Sequence, residues 1–161
     1  MATGSFVPKE GHELVLTRIF DAPRELVFKA WTDPKRVAEW WGPRVFTNPV
    51  CELDGRPGGA IRIHMRGPDG TVYPMTGVYQ EVVEPERIVF TSAALDAAGN
   101  LMFELPTTMT FAEQGGKTKQ ILRVRVIKST AQAATYLAGM EAGWTQSLER
   151  LASYVATHAK E

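Results

Sequence analysis

Residues 131–156, AQAATYLAGMEAGWTQSLERLASYVA, carry the pattern that decides the fold. Apolar side chains recur every three or four positions along this segment, at Leu137, Met140, Trp144, Leu148, Leu151 and Val155. That spacing places them on one side of an α-helix of about seven turns, and such a helix must bury its apolar side. The segment therefore predicts a long C-terminal helix that packs against another layer.

The preceding part of the chain, from residue 45 to about 127, predicts about six antiparallel strands separated by turns. The last of these strands, predicted over 118–127, alternates Leu122, Val124 and Val126 with arginines, so one of its faces is buried and the other is wet. A sheet of this kind needs a cover, and the C-terminal helix is the only predicted element long enough to provide it. The sequence thus predicts an α+β fold in which a curved antiparallel sheet wraps around a long helix.

The N-terminal part predicts a strand over 12–20 and then a helical segment that is broken in two. Asp21 is expected to cap the first short helix, and Asp33-Pro34 begins the second, which Gly42-Pro43 ends. Trp40 and Trp41 stand side by side before this end. On a helix, neighbouring side chains are about 100° apart, so both indoles can reach one apolar surface. That surface is either ordinary core or the wall of a cavity.

Composition limits the classes of function. The chain has 161 residues, which predicts a single domain over 1–161 with a core over about 12–157. Its 18 basic and 18 acidic residues give no net charge, which argues against nucleic acid and an anionic membrane as partners. The single cysteine, Cys51, excludes an intrachain disulfide. With no long apolar run and no signal peptide, a cytoplasmic protein without membrane insertion is expected.

Two polar residues have alternative interpretations. Glu141 projects into the apolar side of the last helix, where it is either a solvated edge or a polar anchor inside a pocket. His64 shares a strand face with Arg62 and Arg66, which indicates either a solvated basic face or a catalytic base. No grouping of His with Asp, Glu or Cys has metal-ligand spacing, so we predict no metal, no cofactor and no catalytic residue.

Aromatic and methionine residues are spread over the elements that should face each other. They are either plain core or the lining of a cavity, since methionine adapts to varied apolar partners and buried Tyr and Trp can orient a ligand. The set comprises Trp40, Trp41, Met65, Tyr73, Met75, Tyr79, Phe90, Met109, Met140 and Trp144.

Four segments together resemble proteins similar to the C-terminal domain of the activator of Hsp90 ATPase, a family of the START-like, Bet v 1-like (SRPBCC) superfamily. They are TRIFDAPRELVFKAWTDPKRVAEWWGP (17–43), PGGAIRIHMRGPDG (57–70), GVYQEVVEPERIVFT (77–91) and GMEAGWTQSLERLA (139–152). The resemblance implies the helix-grip fold, with a cavity between the sheet and the C-terminal helix. Members of the superfamily bind lipids, sterols, polyketides or other hydrophobic small molecules, and some are cyclases or dehydratases.

The resemblance therefore implies a hydrophobic small molecule as partner, with the protein as its carrier or sensor. The alternatives are an enzyme acting on such a molecule, in the manner of a cyclase or hydrolase, and a chaperone-associated protein-interaction module. The candidates for the cavity are the aromatic and methionine residues named above, apart from Met75, together with Glu141. One of the two adjacent indoles is expected to face the pocket and the other to seal the helix against the sheet. An exposed strand edge would allow a homodimer.

Overall fold

Seven antiparallel strands form one curved sheet in a computed structural model that describes residues 13–95, 98, 100–126, 128–129 and 140–158. The strand order is β1-β7-β6-β5-β4-β3-β2, and the short strand β8 pairs with β6. The strands are β1 (Glu13–Phe20), β2 (Thr47–Leu53), β3 (Ala60–Arg66), β4 (Val72–Val83), β5 (Arg87–Leu95), β6 (Leu101–Gln114), β7 (Lys117–Arg125) and β8 (Lys128–Ser129). The helices are α1 (Arg24–Thr32), α2 (Pro34–Trp40) and α3 (Met140–His158). This architecture confirms the predicted helix-grip fold.

The first helix begins later than predicted. α1 starts at Arg24, and Pro23 occupies the cap position with extended backbone and no side-chain hydrogen bond. The carbonyl of Pro23 accepts hydrogen bonds from the backbone N–H groups of Leu26 and Val27, at 3.0 and 3.2 Å. The prediction that Asp21 caps this helix is therefore wrong: the fixed φ of proline already presets the backbone for a helix start.

The second helix begins where the sequence predicts and ends one residue earlier, so that Trp41 lies outside it. The Oδ1 atom of Asp33 accepts a hydrogen bond from the backbone N–H of Lys35 at 3.0 Å, and Pro34 occupies the first turn. The helix ends at Trp40, because Trp41 takes extended backbone at the cap position. Gly42 then takes a φ of +92°, at which a side chain would be strained. The break between α1 and α2 thus follows from Asp33 and Pro34.

The core lies between the inner face of the sheet and the three helices. Leu148, Leu151 and Val155 of α3 are buried against it, as are Leu122 and Val124 of β7. The arginines that alternate with these β7 residues are exposed, as predicted. Residues 131–139 of the predicted C-terminal helix, which include Leu137, lie outside the described residues.

A buried polar pair crosses the core between α1 and β7. The indole Nε1–H of Trp31 donates a hydrogen bond to Oε1 of Gln120 at 2.7 Å. Gln120 is fully buried, and its Nε2 atom has no hydrogen-bond partner among the described residues. A buried donor such as this indole N–H is costly to leave unpaired, so the bond fixes the position of α1 on the sheet.

A double-mutant cycle tests this pair. We expect Trp31→Phe and Gln120→Met to couple by about 1 kcal/mol, because each single change leaves the other partner buried and unpaired while the double change removes both groups. The free energy of unfolding of the four proteins, from urea titrations, gives the coupling. Additivity within about 0.3 kcal/mol would contradict the role of this bond.

Candidate functional site

A cavity of about 330 Å³ lies between the beginning of α3, the segment 41–46 that follows α2, and strands β3 to β6. It opens to solvent on one side, and its volume is near the lower end of the roughly 300–1,000 Å³ of small-molecule sites. Most of its wall is apolar. The lining residues are Trp41, Gly42, Pro43, Phe46, Met65, Tyr73, Pro74, Met75, Ser92, Ala94, Leu95, Leu105, Met140, Gly143, Trp144 and Ser147.

Half of the residues predicted for the cavity lie on this wall. Trp41 directly follows α2, Met65 comes from β3 and Tyr73 from β4, while Met140 and Trp144 come from the first turns of α3. Distant parts of the sequence are thus brought together by the sheet and the helix that crosses it.

Four predicted residues lie in the core and do not line this cavity. Trp40, Tyr79, Phe90 and Met109 are all buried. The last three line a separate void of about 20 Å³, which has room for about one water molecule. Aromatic and methionine side chains fill cores as readily as they line cavities, so residue type could not separate these two places.

Glu141 is exposed and is not on the cavity wall. Its predicted angular position is close to that of Leu148, which is buried on the same helix. Leu148 lies about 10 Å further along the helix axis, so the two differ in depth and not in direction. Glu141 lies in the first described turn of α3 with its side chain in solvent, as at a solvated edge and outside the described cavity wall.

Several wall residues were missed by the prediction, although their spacing points to them. Gly143 and Ser147 follow Met140 at three and seven positions, on the same side of α3. Ser92 and Ala94 follow a buried phenylalanine on β5 at two-residue steps, on one face of the sheet. They were missed because they are small, and small side chains give little hydrophobic signal.

The adjacent indoles lie in different environments. Trp40 is fully buried, and its Nε1–H donates to the carbonyl of Ala30 at 2.9 Å, whereas Trp41 lines the cavity. Trp31 packs edge-on against Trp40, with ring centroids 4.6 Å apart. Trp41 likewise packs edge-on against Trp144 at 5.6 Å. The four tryptophans therefore form one cluster that runs from the core to the cavity wall.

Arg150 of α3 binds the end of α2 and the segment that follows it. Its Nη1 atom donates to the carbonyl oxygens of Trp41, Gly42 and Pro43 at 3.0, 3.1 and 3.0 Å. Its Nη2 atom donates to the carbonyl of Glu39 at 3.1 Å. The last carbonyls of a helix lack intrahelical partners and carry partial negative charge, so a guanidinium is well suited to them. Burial lowers the pKa of Arg150, which nevertheless remains charged.

Further contacts fix the same segment. The backbone N–H of Arg44 donates to Oε1 of Gln146 at 3.1 Å, and the Arg44 guanidinium pairs with Glu149. The Nδ2 atom of Asn48 donates at 3.0 Å to the carbonyls of Ala38 and Trp41. The segment 41–46 is thus tied to both α3 and the edge strand β2.

The cavity wall is uncharged in the part of the chain that the structure describes. Its polar side chains are the hydroxyls of Tyr73, Ser92 and Ser147 and the indoles of Trp41 and Trp144. His64 precedes Met65 on β3, and neighbouring strand residues face opposite ways, so His64 lies on the other face of the sheet.

The described residues contain no group of three or more His, Cys, Asp and Glu side chains placed to hold a metal ion. Within the same residues, none of the helices combines the length and apolar character that crossing a membrane requires.

Cys51 lies on β2 and packs against the core. Burial raises the pKa of its thiol from an ordinary value near 9 to about 11, with smaller contributions from the charges of Asp33 and Glu52. The thiol is therefore protonated and unreactive at neutral pH.

Comparison with known proteins gives a consistent result. The model of the activator of Hsp90 ATPase homolog 1-like family matches residues 21–156. A crystal structure from Chromobacterium violaceum is 31% identical in sequence with a TM-score of 0.74, and the match covers 89% of this chain and 96% of that one. A Silicibacter pomeroyi protein that carries the family's name is 26% identical with a TM-score of 0.78, over 91% and 99% of the two chains.

A solution structure from Arthrobacter aurescens has a TM-score of 0.80 at 21% identity, over 94% of this chain and 91% of that one, which shows the fold alone. None of the curated proteins matches this sequence significantly.

Replacing Arg150 by Lys tests the hold on the segment 41–46. Lysine keeps the charge but cannot present a planar fork to four carbonyls, so we expect a loss of about 1–2 kcal/mol in the free energy of unfolding. Urea titration followed by tryptophan emission measures this loss, with Arg62→Lys as the control. Arg62 makes an exposed pair with Glu52 at 3.2 Å, and its replacement should cost less than about 0.5 kcal/mol. Equal losses in the two variants would contradict the assignment.

The pKa of Cys51 predicts slow alkylation. At pH 9 about half of an ordinary thiol is ionised but roughly 1% of a thiol with a pKa near 11, so iodoacetamide should react about 50-fold more slowly with the folded protein than with the urea-unfolded chain. Because folding raises the pKa of the Cys51 thiol, the contribution of this thiol to the free energy of unfolding is fully present below pH 9. That contribution is lost as the pH rises towards 11. Equal alkylation rates for the folded and unfolded chain would contradict burial of this thiol.

Proposed function

The chain belongs to the activator of Hsp90 ATPase homolog 1-like family, and we propose that it binds a small, mostly apolar molecule in the cavity between the sheet and α3, as a carrier or sensor. The observation that carries this proposal is the cavity of about 330 Å³ with a mainly apolar wall. A concave apolar site with a few polar groups is the usual form of a small-molecule site.

The side chains on the wall suit an apolar ligand. Trp41, Trp144 and Tyr73 offer large flat surfaces with polar tips, which can both pack against a ligand and orient it. Met65 and Met140 are flexible and polarisable, so they adapt to the shape of an apolar partner. These properties support binding driven by burial of apolar surface.

The chemistry of the wall favours carriage or sensing over catalysis. General acid–base catalysis needs a titratable group within hydrogen-bonding reach of the substrate. The titratable side chain on the described wall is that of Tyr73, and the residues described there include no Asp, Glu, His, Lys or Cys. The cyclase-like or hydrolase-like alternative therefore has less support than binding without reaction.

A pair of variants tests the site of binding. Ala94 lies on the cavity wall, and Ala93 precedes it on β5 and faces the opposite side of the sheet. We expect Ala94→Phe to fill the cavity and to weaken binding of the neutral fluorophore N-phenyl-1-naphthylamine at least about 10-fold, as the lost contacts require. Titration of the fluorophore with each protein, followed by its emission, gives the dissociation constants.

Ala93→Phe is the matched control, because it adds the same phenyl ring outside the cavity. Its affinity for the fluorophore should stay within about twofold of that of the unmodified protein, since it changes no wall contact. Circular dichroism and the urea midpoint confirm that both variants are folded. Equal affinities of the two variants, or no binding to the unmodified protein, would refute the proposed site.

A further inference from the structure

The cavity wall has a hydrogen-bonding pattern as well as an apolar character, because its two buried serine hydroxyls have acceptors within the protein. Resting on the proposed function, we propose that the ligand is an uncharged aromatic molecule with a hydroxyl group. This hydroxyl donates a hydrogen bond to the Oγ atom of Ser147. Three features of the wall support this ligand: its lack of charge, the direction of the serine hydrogen bonds, and the indoles that also line it.

The first feature disfavours ionised ligands. The described wall has no cation to pair with a carboxylate and no anion to pair with an ammonium group. Moving an unpaired charge from water into such a site costs several kcal/mol, after allowance for protein relaxation and water penetration. A neutral molecule of the same shape avoids this cost.

The second feature is that the hydroxyls of the two buried serines on the wall already donate hydrogen bonds to backbone carbonyls. Ser147, which is 5% exposed, donates its hydroxyl proton to the carbonyl of Gly143 at 2.9 Å. Ser92, which is 8% exposed, donates to the carbonyl of Leu105 at a longer distance of 3.5 Å. A hydroxyl has one proton and two lone pairs, so the oxygen of each serine can still accept a hydrogen bond.

These two acceptors lie on different layers of the fold, Ser147 on α3 and Ser92 on β5. The shorter hydrogen bond holds the Ser147 proton more firmly, so Ser147 is the stronger acceptor position. A ligand that reaches it should carry a donor, whereas an ether or ketone oxygen would meet lone pairs.

The third feature selects a hydroxyl among donors. The indole N–H groups of Trp41 and Trp144 can donate but cannot accept. A ligand hydroxyl serves both kinds of partner, since it donates to a serine oxygen and accepts from an indole. The aromatic side chains around it, which also include Phe46 and Tyr73, favour a ring that can pack edge-to-face or offset against them.

Three matched probes test the inference on the unmodified protein by equilibrium dialysis at pH 7. They are 2-naphthol, which can donate; 2-methoxynaphthalene, which has the same ring and an oxygen but no proton; and 2-naphthoate, which is charged. We expect 2-naphthol to bind about 2- to 10-fold more tightly than the ether, the range of one net hydrogen bond, and 2-naphthoate to bind most weakly.

Ser147→Ala assigns the preference to its residue. In this variant 2-naphthol should fall to the affinity of 2-methoxynaphthalene, and the affinity for the ether should not change. Ser153→Ala is the control, because Ser153 lies on the same helix with its side chain exposed. It should leave the preference intact. The comparison of probes on the unmodified protein stands even if the Ser147 variant fails to fold.

The outcomes separate the inference from the proposed function. If 2-methoxynaphthalene or 2-naphthoate binds as tightly as 2-naphthol, the hydroxyl preference is wrong while an apolar site remains. If the preference survives Ser147→Ala, the donor does not go to Ser147 and the inference fails at that residue. If none of the three probes binds and N-phenyl-1-naphthylamine does not bind either, the proposed function itself is wrong.

Discussion

The structure depends on how one helix packs across the inner face of the sheet. In its second half α3 presents Leu148, Leu151 and Val155, which are all buried and fill the space beneath them. The first turns of α3 line the cavity, where the small residues Gly143 and Ser147 stand among the larger Met140 and Trp144. On the sheet, β5 contributes the small residues Ser92 and Ala94 to the same wall. The cavity therefore lies where each layer carries some small side chains.

The remaining wall is built by the broken N-terminal helix. The break at Asp33-Pro34 lets α2 turn so that Trp40 enters the core and Trp41 reaches the cavity. Arg150, one turn beyond Ser147 on α3, then binds the carbonyls of the segment that follows Trp41. The helix that forms one side of the cavity thus also fixes the segment that brings Trp41, Gly42 and Pro43 to its wall.

Much of the fold could be predicted from local patterns, because each pattern has a direct physical cause. Alternation on the last long strand and three- or four-residue spacing on α3 each identify a buried side. The start of α2 followed from Asp33 and Pro34, whereas Asp21 misled, since a proline in the cap position made a side-chain cap unnecessary.

The candidate site was less predictable, because a cavity is space that side chains leave unfilled, and residue types do not show where that space lies. Tyr79 and Trp41 are both large aromatic residues and look alike in the sequence, yet Tyr79 lies in the core and Trp41 lies on the cavity wall. Glu141 and Leu148 project in nearly the same direction from α3, yet Glu141 is exposed and Leu148 is buried. A helical projection shows only the direction of a side chain and not how deeply it lies in the fold. Distinguishing them requires the position of the sheet edge, which only the pairing of distant strands determines.

The cavity also links stability with binding. Protein interiors rarely contain voids larger than a water molecule, and glycine within a helix costs about 1 kcal/mol relative to alanine. Gly143 and a cavity of about 330 Å³ are thus unfavourable for the folded protein by itself. A molecule that binds the folded chain and not the unfolded one offsets this cost in proportion to the logarithm of its concentration over its dissociation constant. The small side chains that weaken the packing of α3 are therefore the ones that make room for the ligand. Larger residues at these positions would stabilise the folded protein and weaken its affinity for the ligand.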